Sequence, residues 1–279
     1  MIHKFLKSKA GLWLRKRLEY KNKELENIHN GESCYIFGDG HSIKYYDISN
    51  FNDKIGIACN HFPFHKDFKK TNVKYSVLIE PYYFMPFFDT IFKKRKVESI
   101  FSFNPISYNY RKLIKSNKSI IFFVNLSNWL CLRGKNVHFL YKNILSQKKK
   151  YDNEICKKFD CDKGVLRRAI SLSVYLGFKE INLVGCDYLF YPKQIGHWYE
   201  KGQPIIDFKF DKSYIDEFIS EVKKEKIIFK LISPDKVKSN IDTITYFELF
   251  KKETNYNENI ELLSDEAFNF FSKQKTFNL

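Results

Sequence analysis

Cys34-Tyr35-Ile36-Phe37-Gly38-Asp39-Gly40-His41-Ser42 is an apolar run that stops at two glycines one residue apart. The run Tyr35–Phe37 reads as a buried strand, and Gly38-Asp39-Gly40 as the turn that leaves it. A strand breaking into Gly-x-Gly lets backbone N–H groups approach a phosphate with no Cβ in the way. That places an anionic ligand, a nucleotide by this reading, at the C-terminal edge of the first strand, where open α/β sheets bind ligands. The dinucleotide fingerprint needs a third glycine, and Ile43 stands in its place. A structural tight turn is therefore the competing reading of the motif.

Working outward, short strands alternate with helices. Ile55–Cys59 is a second strand, closed by Asn60; Lys74–Glu80 is a third, broken by Pro81. Ile100–Phe103 and Ser119–Val124 read as further strands, with a helix over Tyr108–Ser116 between them. The stretch Asn125–Asp162 has the least regular pattern and reads as an acceptor-facing insertion or lid. Gly164–Leu176 has the spacing of a buried helix and ends at Gly177 as its C-cap. Glu180-Ile181-Asn182-Leu183-Val184-Gly185 follows as a strand ending in glycine, with Cys186-Asp187 behind it. A helix over Tyr214–Lys224, a strand over Ile227–Ile232 and a terminal helix over Ile260–Ser272 complete the pattern. Alternation of this kind predicts an α/β fold, a mostly parallel, Rossmann-like sheet flanked by helices. The organisation expected is a basic amphipathic leader over 1–30, an α/β domain over 31–250 with an irregular lid near 190–212, and a helical tail over 251–279.

Composition bounds the function classes. The chain has 279 residues, 44% of them hydrophobic, ample for a sizeable core. Its six cysteines are scattered with no C-x-x-C pair, so neither a zinc site nor a redox motif is indicated. The net charge of +16 calls for an anionic partner. No nucleic-acid motif accompanies it, and the lysines are dispersed, so nucleic acid is discounted. No apolar run reaches the length of a membrane span. Residues 1–21 instead mix Ile2, Phe5, Leu6, Leu12, Trp13, Leu14 and Leu18 with Lys4, Lys7, Lys9, Arg15, Lys16 and Arg17. That mixture suits a helix lying in an anionic membrane interface, or one packed on the protein's own surface.

Several residues could carry chemistry. His197, in the loop Gln194-Ile195-Gly196-His197-Trp198, is the candidate general base, since imidazole titrates near neutrality. His41 beside the glycine turn reads as a binding group. Tyr188, Tyr191 and Tyr199 surround the His197 loop, and tyrosine hydroxyls can donate to phosphate oxygens without a metal. Asp160-Cys161-Asp162 has D-x-D spacing, but Asp162 directly precedes the apolar helix and suits an N-cap, so no metal is expected.

In order, Ile36–Ser42, Cys59-Asn60, Lys163-Gly164-Val165, Leu176–Tyr188, Ile195-Gly196-His197 and Ser233-Pro234 resemble the bacterial sialyltransferases of glycosyltransferase family 42. The resemblance runs from about residue 33 to 240. It implies a GT-A-like, metal-independent, inverting transferase using a CMP-activated nonulosonic acid, a substrate rather than a cofactor. Carried over motif by motif, it implies that Gly38, Asp39, Gly40, Ser42, Asn60, Lys163, Gly164, Gly185 and Asp187 bind the nucleotide. Glu80 falls where the family has an asparagine toward the donor sugar. Tyr188 and Tyr191 would assist the leaving phosphate, and His197 would be the base. The chain departs from the family at Asp39, Glu80, Lys163, Leu189 and Asp160, where asparagine, asparagine, serine, tyrosine and arginine are expected. These departures leave the donor open among sialic acid, Kdo and another nonulosonate. The expected partners are that donor, a glycan or glycolipid acceptor such as a lipooligosaccharide, and an anionic membrane surface at the cytoplasmic face of the inner membrane, with homo-oligomerisation left open. The alternatives are a motility-accessory-like or pterin-pyrophosphokinase-like transferase, and a non-catalytic nucleotide- or glycan-binding protein.

Overall fold

Strands buried on both faces need apolar side chains at consecutive positions, and this chain supplies them. In the computed structural model, which describes residues 8–80, 83–84, 105–140, 164–208 and 213–258, eight strands form one parallel sheet. They are β1 Ser33–Phe37, β2 Ile55–Cys59, β3 Val73–Leu78, β4 Ile121–Asn125, β5 Val137–Leu140, β6 Glu180–Val184, β9 Ile228–Ser233 and β10 Asp242–Thr245. Two further strands, β7 Lys193–Ile195 and β8 Ile205–Asp207, pair antiparallel as a separate ribbon. The helices are α1 Lys9–Tyr20, α2 Pro105–Ser116, α3 Val165–Tyr175, α4 Ser213–Lys223 and α5 Tyr246–Phe250.

Alternating side chains feed two cores. Cys34, Ile36, Ile57, Cys59, Ile181 and Leu183 face α3 and α4, meeting Ala169, Ile170, Leu172, Phe218 and Val222. Tyr35, Phe37, Ala58, Phe122, Val124 and Val184 face the other way, onto Phe51, Phe62, Tyr110, Trp198 and Tyr246. Phe37 and Phe62 stack at 4.4 Å between ring centroids, so the second core is largely aromatic.

Strand order across the sheet is β10-β9-β6-β1-β2-β3-β4-β5. The chain winds outward from β1 to β5, then returns to the centre and winds the other way from β6. The switch point lies between β1 and β6, where an open sheet leaves a crevice at its carboxyl ends. The two turns there are packed backbone on backbone. Gly38 N–H donates to the Val184 carbonyl and Gly40 N–H to the Gly185 carbonyl, each at 2.8 Å. A Cβ on Gly38 would sit 2.3 Å from the Gly185 oxygen, and one on Gly40 would sit 2.6 Å from it. The glycines are thus required by strand-to-strand contact. The N–H groups of both glycines are already bonded within the protein.

The remaining elements differ from the sequence reading in identifiable ways. β5 lies inside the stretch read as irregular, its four residues too few to show a period. Its outer edge is covered by the segment after α1: Asn22 donates to the Phe139 carbonyl at 2.9 Å, and Lys21 to that of Val137 at 3.3 Å. The basic leader is therefore stitched to the sheet edge while Trp13 and Tyr20 stay exposed. α5 carries a capping box between Thr245 and Glu248, a signal present in the sequence as Thr-x-x-Glu. The mixed stretch after the glycine turn folds as two short 3-10 helices, His41–Tyr45 and Ile48–Asn50. The strand expected at Ile100–Phe103 and the helix at Ile260–Ser272 lie outside the described residues.

Gly38→Ala should destabilise the protein by about 1–3 kcal/mol, the usual cost of forcing a methyl into a closed contact. Urea denaturation should read this as a lower midpoint with an unchanged slope; an unaltered midpoint would mean the two turns part easily.

Candidate active site at the switch point

A cavity of about 460 Å³ opens where β1, β2, β3 and β6 end. Its wall gathers Gly38, Asp39, Gly40, Asn60, Glu80, Gly164, Gly185, Asp187, Tyr188 and His197, residues dispersed over 160 positions of chain. They come from the ends of four strands, one helix start and one loop, and the strand order is what brings them together. Ser42 stands one step behind the wall, fully buried. Its N–H donates to Oδ2 of Asp187 at 2.6 Å and its hydroxyl to Oδ1 at 2.5 Å. Asp187 and Ser42 therefore lock the β1 turn to the β6 turn. Tyr191 does not line the cavity; it is exposed, and its N–H is bonded to the Lys238 carbonyl at 2.8 Å. Lys163 and the Asp160-Cys161-Asp162 motif lie outside the described residues. Among the described residues, no three His, Cys, Asp or Glu side chains are grouped to hold a metal ion.

Asn60 adopts a left-handed backbone at φ 38°, which only a few per cent of non-glycine residues do. Its carbonyl oxygen accepts from the Tyr110 hydroxyl, and its N–H donates to the Val77 carbonyl at 3.1 Å. Its side-chain Oδ1 is buried with no partner among the described residues. A strained backbone holding an unpaired amide oxygen at a cavity wall is equipped to meet a ligand donor.

Positive charge enters the cavity from residues the sequence reading passed over. α3 starts at the wall: Gly164, at φ +85°, precedes it without a side-chain cap, so the first turn turns its N–H end toward the cavity. Arg167, in that turn, is 2% exposed and lies over the Phe218 ring at 4.8 Å. Lys193, at the start of β7, is 3% exposed and also lines the cavity. Paired cations at the start of an otherwise apolar helix were the available signal for Arg167.

His197 is carried by the loop between β7 and β8. Trp198, completely buried, anchors that loop, donating from its backbone N–H to the Asp39 carbonyl at 3.1 Å. The His197 Nδ1 lies 3.1 Å from Oε1 of Glu200, and its backbone N–H donates to Oε2 at 3.0 Å. A carboxylate on Nδ1 holds the proton there and leaves Nε2 as the basic nitrogen. Burial works against a charge on His197, but Glu200, Asp39 and Asp187 outweigh it and hold its pKa above the ordinary 6.5. The ring also stacks on Tyr199 at 5.0 Å. Glu200, three residues after His197, was a legible partner that the sequence reading did not name.

Burial pushes the carboxyls of Asp39 and Asp187 up to about 6 each, against the pull of His197 and their hydrogen bonds. Asp39 accepts from the His61 N–H at 3.2 Å and the Trp198 indole N–H at 3.3 Å. Its oxygens therefore already serve the two flanking loops, which is how an acidic residue is accommodated where the family has asparagine.

No family model matches the sequence, and no curated protein matches it. Among solved structures, the chain is similar to the Campylobacter jejuni sialyltransferase CstII in complex with cytidine-5'-monophosphate, at 18% identity and a TM-score of 0.43, over 87% of this chain and 98% of that one. It is similar to the C. jejuni monofunctional alpha-2,3-sialyltransferase Cst-I at 18% identity and a TM-score of 0.44, over 86% and 92% of the two chains.

Asp39 supplies a test of these electrostatics. A carboxyl whose pKa is raised on folding favours the native state below its unfolded value, 3.8, and loses that contribution as pH rises through about 6. Asp39→Asn should therefore be more stable than wild type at pH 8, by about 1–2 kcal/mol. The difference should shrink to nothing near pH 4 in thermal melts. A gap independent of pH would show that Asp39 is solvated.

Proposed function

We propose that this protein is an inverting, metal-independent glycosyltransferase that moves a nonulosonic acid, sialic acid or a relative such as Kdo, from a CMP donor to a sugar hydroxyl. The observation that carries the reading is the convergence of ten motif residues on one switch-point cavity, with a His–Glu dyad at its rim. The ordered resemblance to family 42 in the sequence points the same way.

The roles follow from the chemistry of each wall. The Asn60 amide oxygen takes an N–H or hydroxyl of the cytidine. The α3 N-terminus, Arg167 and Lys193 face the phosphate, whose negative charge grows as CMP departs. Tyr188, beside Lys193, is placed to donate to the same oxygens. The acceptor hydroxyl gives its proton to Nε2 of His197 while its oxygen bonds to the anomeric carbon. The carbon–oxygen bond to phosphate breaks on the opposite face, and CMP leaves with that electron pair. Glu200 stabilises the imidazolium so formed.

The acceptor we infer is a glycan on a membrane lipid, such as a lipooligosaccharide, at the cytoplasmic face. The +16 charge and the exposed Trp13 and Tyr20 on the basic helix α1 suit an anionic lipid surface. Among the described residues, no helix is long and apolar enough to cross a membrane.

Nucleotide choice tests the donor. CMP should raise the melting temperature where UDP, GDP and ATP do not. Asn60→Ala should weaken CMP by about 1–3 kcal/mol, the cost of a lost buried hydrogen bond. Preference for a purine nucleotide would move the protein to the pterin-pyrophosphokinase-like alternative.

The base is tested by kinetics with EDTA present throughout. Wild type should turn over, and His197→Ala should lose about 10²–10⁴-fold in kcat with CMP affinity retained. The wild-type rate should rise with pH through an ionisation above 6.5, because the carboxylates around His197 hold its proton more tightly than water does. Full kcat in the variant would remove His197 from the mechanism.

A further inference from the structure

A second cavity, of about 260 Å³, adjoins the His197 loop and shares Ile195, Gly196 and His197 with the first. It is smaller than the roughly 300–1,000 Å³ of sites for drug-sized ligands, so its natural occupant is a single ring. Ile195, Pro204 and Ile205 give it an apolar side; His41 and Glu200 give it a polar one.

Its buried charges are matched before any ligand arrives, while Lys201 stands exposed at the wall. Lys44, fully buried, donates to the carbonyls of Glu200 and Gly202 and pairs with Glu258 at 3.5 Å. Glu258 also accepts from the Gly202 N–H at 2.7 Å. The Glu200 carboxylate is taken by His197. What is left over is His41. It is 2% exposed, its ring is held between Tyr45 at 6.0 Å and Tyr256 at 5.9 Å, and its Nε2 is buried with no partner among the described residues. Burial, reinforced by Lys44, lowers its pKa to about 4, so the ring is neutral at physiological pH.

We propose that this cavity is a subsite for one neutral pyranose ring of the acceptor, with His41 Nε2 hydrogen-bonding one of its hydroxyls. The inference rests on the transferase reading for its place in the reaction. A pyranose offers the two faces the walls ask for: C–H groups for Ile195, Pro204 and Ile205, and hydroxyls for a neutral imidazole. A phosphate or carboxylate would arrive where every buried charge already has its counter-charge. A ring seated here adjoins His197, which also lines the nucleotide cavity, and an acceptor hydroxyl must reach that base.

Saturation-transfer NMR with a panel of methyl glycopyranosides as probes tests this, beside a CMP titration of the same samples. Wild type should bind at least one neutral methyl glycoside. His41→Phe, which keeps the ring but removes the nitrogen, should weaken it by roughly three- to tenfold. His41→Gln should restore much of the loss. Ile205→Ser, at a 64% exposed position that folding does not depend on, should weaken the same probe. Glycoside binding equal in wild type, His41→Phe and Ile205→Ser, or CMP binding with no glycoside binding, overturns the subsite and leaves the transferase reading standing. Glycoside binding sensitive to His41 without any CMP binding supports the subsite and sinks the nucleotide reading instead.

Discussion

Two turns meet backbone to backbone at the centre of the sheet. Where β1 and β6 end side by side, the backbones of Gly38 and Gly40 bond directly to the carbonyls of Val184 and Gly185, leaving no room for a Cβ. Ser42 then closes on the Asp187 carboxylate with both its N–H and its hydroxyl. Everything that lines the cavity is positioned from this contact. It sets the separation of the two central strands at their carboxyl ends, and so the mouth of the crevice. It also aims Asp39 at the loop that carries His197, through the Trp198 N–H and indole.

A second constraint follows from burying so many ionisable groups in one place. Asp39, Asp187, His197, Glu200, Arg167 and Lys193 lie within or beside one cavity, and a buried charge is tolerable only when paired. Burial lifts both aspartates toward neutrality, while together with Glu200 they hold the proton on His197. The same environment that makes His197 a stronger base makes the aspartates weaker acids. Because His197 responds to these carboxylates, a change at Asp39, Asp187 or Glu200 reaches the imidazole at the rim. In the smaller cavity beside that loop the buried charges are paired, and the neutral ring of His41 is the buried group left unmatched. The two cavities thus differ in character: one gathers Arg167 and Lys193 beside several carboxyls, the other has an apolar side and a neutral imidazole.

The strands and helices of the sheet's centre were legible because their patterns are local. The runs at Tyr35–Phe37, Ile55–Cys59 and Glu180–Val184 announce strands by apolar continuity, and Gly177 marks the end of α3 by its left-handed backbone at φ +99°. Short edge elements were not legible: β5 and β10 have four residues each, and their identity comes from the neighbour they pair with. The site residues divide along the same line. His197, Asn60, Asp187 and the glycines could be picked out by type and motif order. Lys193 could not, since nothing in a short window distinguishes a cation that turns into a cavity from one that turns to solvent, and Arg167 had only the weak signal of paired cations opening an apolar helix. Tyr191 is the converse, a tyrosine near the right loop whose backbone pairing with Lys238 holds it outside the cavity.

The sequence by itself determined the α/β alternation, the strand-ending glycines and the chemical types available, because these depend on periodicity and on residues within a few positions of one another. Only the tertiary structure decided what the glycines are for, which charges are buried, and that His197 lines both cavities. Those are properties of strand order. A parallel sheet that reverses direction between β1 and β6 brings together residues separated by more than a hundred positions, and no local pattern encodes that separation.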